Sequence, residues 1–260
     1  MATDITADLY IIAAGKGTRM GNKLPKALIP FNGEPCLTHT LKNIGQHFRN
    51  VFVVINEDIQ DVWDRYKSEI SLSSHPFSMN VQFIPIKSGL GDGHATLMAL
   101  EKAPAIATLS PEIVVCWGDV YFHQPEIITE LLSMKMSSNG IVPALLEQNP
   151  YVTLLVDDTL NCMSADFSKY GEQHPSGFHD QSVFRLKYDV TVAALSRLHK
   201  AFWKNGRYAT PGGELSLLYI FHYLYNLECP VTVYETSHST KSFNTDTEVK
   251  LIREEILNDK

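Results

Sequence analysis

No two of the four cysteines, Cys36, Cys116, Cys162 and Cys229, stand close enough to form a Cys-x-x-Cys pair. Neither a zinc site nor a disulfide framework is expected, and the thiols read as reduced. Positive charge is also scarce: 22 Lys and Arg against 29 Asp and Glu leave a net charge of −7. That balance provides no basic footprint for nucleic acid or for an anionic membrane, so any cationic chemistry must be local. No uninterrupted apolar run approaches the roughly 18–20 residues a membrane span needs. The first residues, Met1 to Asp8, carry no basic segment and no long apolar run, so no signal peptide is expected. A cytoplasmic protein is the corresponding expectation. Internal repeats and low-complexity tracts are missing as well.

What is present is ordinary globular material, 44% hydrophobic and 20% charged over 260 residues. Such a chain can bury a large core without staples. Apolar β-prone runs alternate with helical periodicity. Leu9–Ile12, Val51–Ile55, Val81–Ile84 and Ile113–Trp117 read as buried strands. Between them, Leu37, Leu41, Ile44 and Phe48, then Ile59, Val62, Trp63, Tyr66 and Ile70, mark helices. A helix through Leu97, Met98 and Leu100 follows Gly89–Ala95, and Pro125 opens another. Alternation of this kind predicts parallel strands with helical crossovers and a ligand at the carboxyl ends of the strands. Ser71 to Ser78 reads as a surface loop. Beyond Gly140 the pattern changes. Ile141–Leu146 and Val152–Val156 read as strands, whereas Asn161–His179 has weak periodicity and reads as a mixed sheet extension with loops over the site. Helices are expected over Val190–Phe202 and Glu214–Leu227, with a late strand at Val231–Tyr234. Thr245-Asp-Thr-Glu248 is a capping box opening a last helix.

The most informative stretch runs from Leu9 to Lys26. A strand passes into Ala13-Ala14-Gly15-Lys16-Gly17-Thr18-Arg19-Met20 and then Pro25-Lys26. Glycines without a Cβ let backbone N–H groups curl round an anion, Arg19 offers a planar fork for phosphate oxygens, and Lys26 adds a point charge. The dinucleotide fingerprint needs Gly or Ala where Met20 stands, and the Walker Gly-Lys-Ser/Thr is missing. Asp119 follows an apolar strand at the expected carboxyl edge of the sheet, which is a place for a metal-holding carboxylate and equally for a turn.

Gly-x-Gly-Thr-Arg-Met with Pro25-Lys26 resembles the opening signature of the nucleotidyltransferases that join a nucleoside triphosphate to a phosphorylated small molecule, such as the sugar-1-phosphate uridylyltransferases. The resemblance covers Leu9 to about Phe122 and touches the chain again at Asn244. It implies an α/β fold, a Rossmann-like three-layer αβα sandwich with a predominantly parallel mixed sheet, of the nucleotide-diphospho-sugar transferase type. One domain over 1–260 is expected, with a nucleotide-binding half at 1–138 and an acceptor-binding half plus C-terminal helix at 139–260. By the same resemblance Ala13, Ala14 and Gly15 face base and ribose. Gly17 and Arg19 face the β and γ phosphates, Thr18 belongs to the same nucleotide-binding loop, Lys26 faces the reacting phosphates, and Asp119 with Asn244 holds Mg²⁺. Asp246 is the rival for the second ligand position.

Gly91-Asp92-Gly93-His94-Ala95 resembles the Gly-Thr-Gly-His-Ala loop that packs on the pyrimidine. Asp92 in place of Thr, and Ile86 in place of a Gln, tilt the expectation from UTP towards CTP, because a carboxylate accepts from the cytosine amino group. Tyr151, Glu172, Asp180 and Glu214 are candidates for holding a polar or cationic acceptor; Asp180 stands where the family has Asn near the sugar. The expected partners are CTP or UTP and a phosphorylated metabolite, either a sugar 1-phosphate or a non-sugar phosphate such as phosphocholine or phosphoglutamine. Homo-oligomer formation stays open. Two rival classes are a catalytically silent nucleotide-binding subunit and a glycosyltransferase, which would carry Asp-x-Asp where this chain has Asp119-Val120-Tyr121.

Overall fold

Strands buried on both faces have no polar side to show, so their sequences run apolar without interruption. Three such strands, β1 (Ala7–Ala13), β2 (Val51–Asn56) and β4 (Glu112–Trp117), build the centre of the sheet, and the half-buried β3 (Val81–Ile86) closes its parallel edge. The computed structural model describes residues 7–15, 24–72, 81–87 and 89–258. The four strands are parallel in the order β4-β1-β2-β3, with Ile12 level with Trp117 on one side and with Val54 on the other.

A second set of strands extends this sheet from β4: β5 (Gly140–Gln148), β6 (Val152–Val156), β7 (Cys162–Phe167), β8 (Ser176–Asp180) and β9 (Val183–Lys187). All pair antiparallel, giving the continuous order β7-β6-β8-β5-β9-β4-β1-β2-β3. A tenth strand, β10 (Thr232–Glu235), runs parallel to β5. The sheet is therefore mixed with a parallel core, as expected.

Alternation along each strand assigns its side chains to two layers. On one face Leu9, Ile11, Val53 and Val114 pack against α1 (Cys36–Ile44), α2 (Gln60–Leu72) and α4 (Glu126–Ser133). On the other, Tyr10, Phe52, Val54 and Val115 meet α3 (Asp92–Lys102), α5 (Tyr188–Phe202) and α6 (Tyr219–Asn226). The result is the three-layer αβα arrangement. A smaller core of Ile29, Phe31, Tyr121, Phe243, Val249 and Ile252 fastens the last helix, α7 (Asp246–Asn258), to the segment after Lys26.

The weakly periodic stretch Asn161–His179 extends the sheet as expected, through β7, whose register shift between Cys162 and Ser164 breaks its alternation, and through most of β8. Two details differ from the expectations. Strand β9 was not foreseen. The helix expected over Glu214–Leu227 begins only at Tyr219, because Leu215 and Leu217 spend their backbone groups on the 90–93 segment: Leu215 N–H donates to Leu90 O and Leu217 N–H to Asp92 Oδ1. The expected loop at Ser71–Ser78 lies largely outside the described residues, and α2 runs on to Leu72.

Candidate active site

The connection from β1 leads to β2 on one side, and the chain later returns to place β4 on the other. A crevice therefore opens at the carboxyl ends of β1 and β4, where open α/β sheets bind ligands. Gly118 makes the two strand ends converge. Its N–H donates to Ile12 O at 2.9 Å, and a Cβ at this position would lie 2.8 Å from the Ala13 Cβ. The glycine thus serves a close approach to the chain's own first strand. The consequence is that Asp119 is delivered beside the turn that carries Lys26.

Lys26 begins a 3-10 turn (Lys26–Leu28) directly after Pro25. Its Nζ donates to Asp119 Oδ2 and to Asn244 Oδ1, each at 2.8 Å. Three residues far apart in sequence and singled out from it thus meet at one point. Lys26 and Asp119 are partly shielded, with side chains 19% and 27% exposed.

Asn244 is held there from both sides. A short antiparallel ladder pairs Lys241 with Tyr121 and Ser242 with Val120, and Phe243 N–H donates to Asp119 O at 3.3 Å. Behind it, the capping box closes as expected: Glu248 Oε2 accepts from the Asn244 and Thr245 N–H groups at 2.6 and 2.8 Å, and Glu248 N–H donates to Thr245 Oγ1. Asp246 is exposed on the first turn of α7.

Asp119 Oδ2 and Asn244 Oδ1 are hard oxygen donors that converge within reach of one cationic centre, now the lysine ammonium. Among the described residues no group of three or more His, Cys, Asp or Glu side chains is arranged to hold a metal. A cation bound here would thus have two protein oxygens and take its other ligands from water or substrate, the habit of Mg²⁺.

The surrounding cleft encloses about 430 Å³, within the size range of small-molecule sites. Ala13, Ala14, Gly15, Gly91, Asp92, Tyr151, Asp180 and Glu214 all line it with Lys26, Asp119 and Asn244. Gly17, Thr18 and Arg19 lie outside the described residues. Glu172 is not part of the lining; it is exposed and its Oε2 accepts from Phe167 N–H at 3.3 Å.

The 91–93 segment is built for packing as much as for a ligand. Gly91 has φ +96°, and a Cβ there would lie 2.3 Å from Leu215 O. Gly93 donates its N–H to Leu215 O at 2.9 Å. Asp92 Oδ1 accepts from Leu217 N–H at 2.6 Å and Ser216 Oγ at 3.2 Å. Burial pushes the Asp92 carboxyl up to about 6 in spite of those two donors. His94 is buried with Nδ1 2.7 Å from the Tyr208 hydroxyl.

Among the lining residues that sequence reasoning missed are Lys87, Trp117, Phe167, Lys169 and His179. Lys87 and Trp117 stand at the ends of β3 and β4, so the strand-end rule that found Asp119 points to them too. Nothing in the sequence marks Lys169, whose Nζ lies over the Phe167 and Tyr170 rings at 5.5 and 4.8 Å. His179 Nδ1 lies 2.8 Å from Glu147 Oε2. Burial disfavours its imidazolium, but the Glu147 hydrogen bond and the charges of Asp180 and Glu147 outweigh that and raise its pKa.

Known proteins bear on this site through both sequence and fold. The family model of the MobA-like NTP transferase domain matches residues 9–181. The bifunctional protein GlmU of Cereibacter sphaeroides is 32% identical over 130 residues, 50% of this chain and 26% of that protein. GlmU of Acinetobacter baylyi is 31% identical over 138 residues, 53% of this chain and 27% of that one. The chain thus spans about a quarter of the length of these curated relatives. Among solved structures, HddC from Yersinia pseudotuberculosis has a TM-score of 0.68 at 14% identity, covering 96% of this chain and 99% of that one. The inositol-1-phosphate CTP transferase from T. maritima reaches 0.70 at 13% identity, covering 96% and 94%. The two structural likenesses concern the fold, whereas the family model spans β1, the Lys26 turn, β4 and the cleft wall to Gln181. The chain belongs to the MobA-like NTP transferase domain family of nucleotidyltransferases.

Proposed function

We propose that the protein transfers a nucleotidyl group from CTP or UTP to the phosphate of a small metabolite and releases pyrophosphate. The observation that carries this reading is the meeting of Lys26, Asp119 and Asn244 at the joined ends of β1 and β4. A phosphate oxygen of the acceptor attacks the α-phosphorus; a new P–O bond forms while the bond to the β-phosphate breaks and pyrophosphate carries away the electron pair. The attacking oxygen is already ionised, so no general base is required, and positioning with charge neutralisation suffices. Lys26 supplies a positive charge next to the reacting phosphates. Asp119 and Asn244 would hold Mg²⁺, which neutralises phosphate charge when bound. Gly17 and Arg19 are assigned to the β and γ phosphates, Thr18 to the same nucleotide-binding loop, and Ala13, Ala14 and Gly15 to the ribose and base.

Asp92 supports CTP over UTP. One oxygen is engaged by Leu217 and Ser216, while the residue still borders the cleft; an ionised carboxylate accepts from an amino group and repels a carbonyl.

The test is pyrophosphate release with each nucleotide across a panel of phosphorylated acceptors. Lys26→Ala and Asp119→Ala should each lower turnover by about two to four orders of magnitude, the scale of losing transition-state charge stabilisation, with circular dichroism unchanged. Near-normal turnover in both variants would refute the assigned roles.

A further inference from the structure

Asp180 ends β8 with only 5% of its surface exposed, yet no cationic side chain is bonded to its carboxylate. Oδ1 accepts from Ser182 N–H at 2.9 Å. No donor from any other described residue reaches the carboxylate apart from its own main chain. The imidazole that acts on it, His179, is already committed to Glu147. Burial accordingly holds the Asp180 carboxyl above the ordinary carboxylate range, with His179 only partly opposing.

This carboxylate belongs to the cleft and to the same frame as the charged centre. Ser182 O accepts from Trp117 N–H at 3.3 Å, two residues before Asp119. Gln181 accepts from Thr240 N–H through Oε1 at 3.0 Å and from Thr240 Oγ1 through its carbonyl at 2.9 Å, just ahead of Asn244. Three aromatic side chains, Trp117, Tyr151 and Phe167, line the same cleft. The Phe167 ring already accepts one cation, the Lys169 ammonium.

A neutral hydroxyl would be served equally by a side-chain amide, which carries no charge to desolvate. Burying a carboxylate is costly unless a cation meets it, and aromatic faces attract cations as well. We propose that the phosphorylated acceptor carries a positively charged nitrogen, and that Asp180 binds it beside the aromatic wall of Trp117, Tyr151 and Phe167. The inference rests on the transfer reaction proposed above and names the acceptor class for it.

The test uses the full chain with CTP or UTP and Mg²⁺, reading pyrophosphate release. Phosphocholine, phosphoethanolamine and glucosamine 1-phosphate supply the charged nitrogen; glucose 1-phosphate and N-acetylglucosamine 1-phosphate lack it. The ammonium-bearing acceptors should exceed the neutral ones by at least about tenfold in kcat/KM, a difference of roughly one pairwise interaction. Asp180→Asn should shrink that ratio towards unity, mainly through KM, while the calorimetric affinity for CTP stays at the wild-type value. The wild-type comparison of glucosamine 1-phosphate with glucose 1-phosphate needs no variant and stands even if Asp180→Asn misfolds. Equal or better use of the neutral acceptors, or an unchanged ratio in Asp180→Asn, overturns the cationic acceptor and leaves the transfer reaction intact. No pyrophosphate from any acceptor overturns both.

Discussion

The parallel and antiparallel halves of the sheet divide the labour differently. In the parallel half, β1, β2 and β4 are buried on both faces, and their ends converge by main-chain contacts such as Gly118 N–H to Ile12 O. In the antiparallel half, β5 is buried for its first five residues and then alternates with exposure, and β7 is interrupted by a register shift. The first half holds charged groups at a rigid edge, the second forms a cleft wall from side chains of several short strands. Chemistry needs the former and selectivity is more easily altered in the latter.

The most severe way to break this comparison is at the seam. Arg185 on β9 is buried, bonds Glu112 on β4 through Nε and Nη2, and donates from Nη1 to the Leu131, Leu132 and Met134 carbonyls at the end of α4. Arg185→Leu removes the cation and strands those acceptors. We expect a loss of about 3 kcal/mol, the low end for breaking a buried pair because Glu112 is partly exposed, measured by urea unfolding. Because the β9–β4 ladder still joins the halves, the melt should stay a single transition at lower denaturant; two separated transitions would show that Arg185 was what coupled them.

Gly118→Ala sharpens the role of the parallel edge. The new methyl would sit 2.8 Å from the Ala13 Cβ, so β1 and β4 must part at the site, at about 1–3 kcal/mol for overpacking. Turnover should fall at least about tenfold, the rate equivalent of about 1.4 kcal/mol. Loss of stability without loss of turnover would separate the close approach from the placement of Asp119.

A smaller effect is expected from Glu248→Ala, which frees the Asn244 and Thr245 N–H groups. Loss of such a cap costs about 1 kcal/mol, and kcat should fall a few-fold as Asn244 loosens. Thermal melting and kcat on the same sample report both.

The mildest prediction concerns nucleotide choice. The Asp92 carboxyl, pushed up to about 6 by burial, is ionised at pH 8 and mostly protonated at pH 5. The ionised form accepts from an amino group; the protonated form can also donate to a carbonyl. The CTP-to-UTP ratio of kcat/KM should therefore fall as the pH drops through about 6, and Asp92→Asn should flatten that profile.

Legibility in the sequence follows the same division. Continuous apolar runs announced β1, β2 and β4, Val81, Phe83 and Ile84 announced β3 despite Gln82, and the strand-end rule with the family resemblance brought Lys26, Asp119 and Asn244 forward before any geometry was available. Two short hairpins, Pro30–Phe31 with Glu34–Pro35 and Trp203–Lys204 with Arg207–Tyr208, went unread. Their Asn32-Gly33 and Asn205-Gly206 turns, with positive φ throughout, carry the strongest short-range hairpin signal available. Residues 214–218 were unreadable for a different reason: apolar spacing there suits a helix, but bonds to Leu90, Gly93 and Asp92 redirect the backbone. Lys169 and the surroundings of Asp180 depend on neighbours that no local pattern encodes, and Glu172, a candidate for the acceptor, turns instead to the Phe167 N–H.

The contact between Lys26 and Asn244 joins positions 218 residues apart, and the aromatic cluster of Phe31, Tyr121 and Phe243, with ring centres 5.2 Å apart around Phe31, fastens the late segment to the early one. A nascent polypeptide emerging from the ribosome can complete the first parallel strands long before Asn244 has been synthesised. On the role proposed for Asn244, nucleotide turnover is among the last properties the chain acquires, and a protease cut between Ser239 and Asn244 should silence it while most of the sheet stays intact.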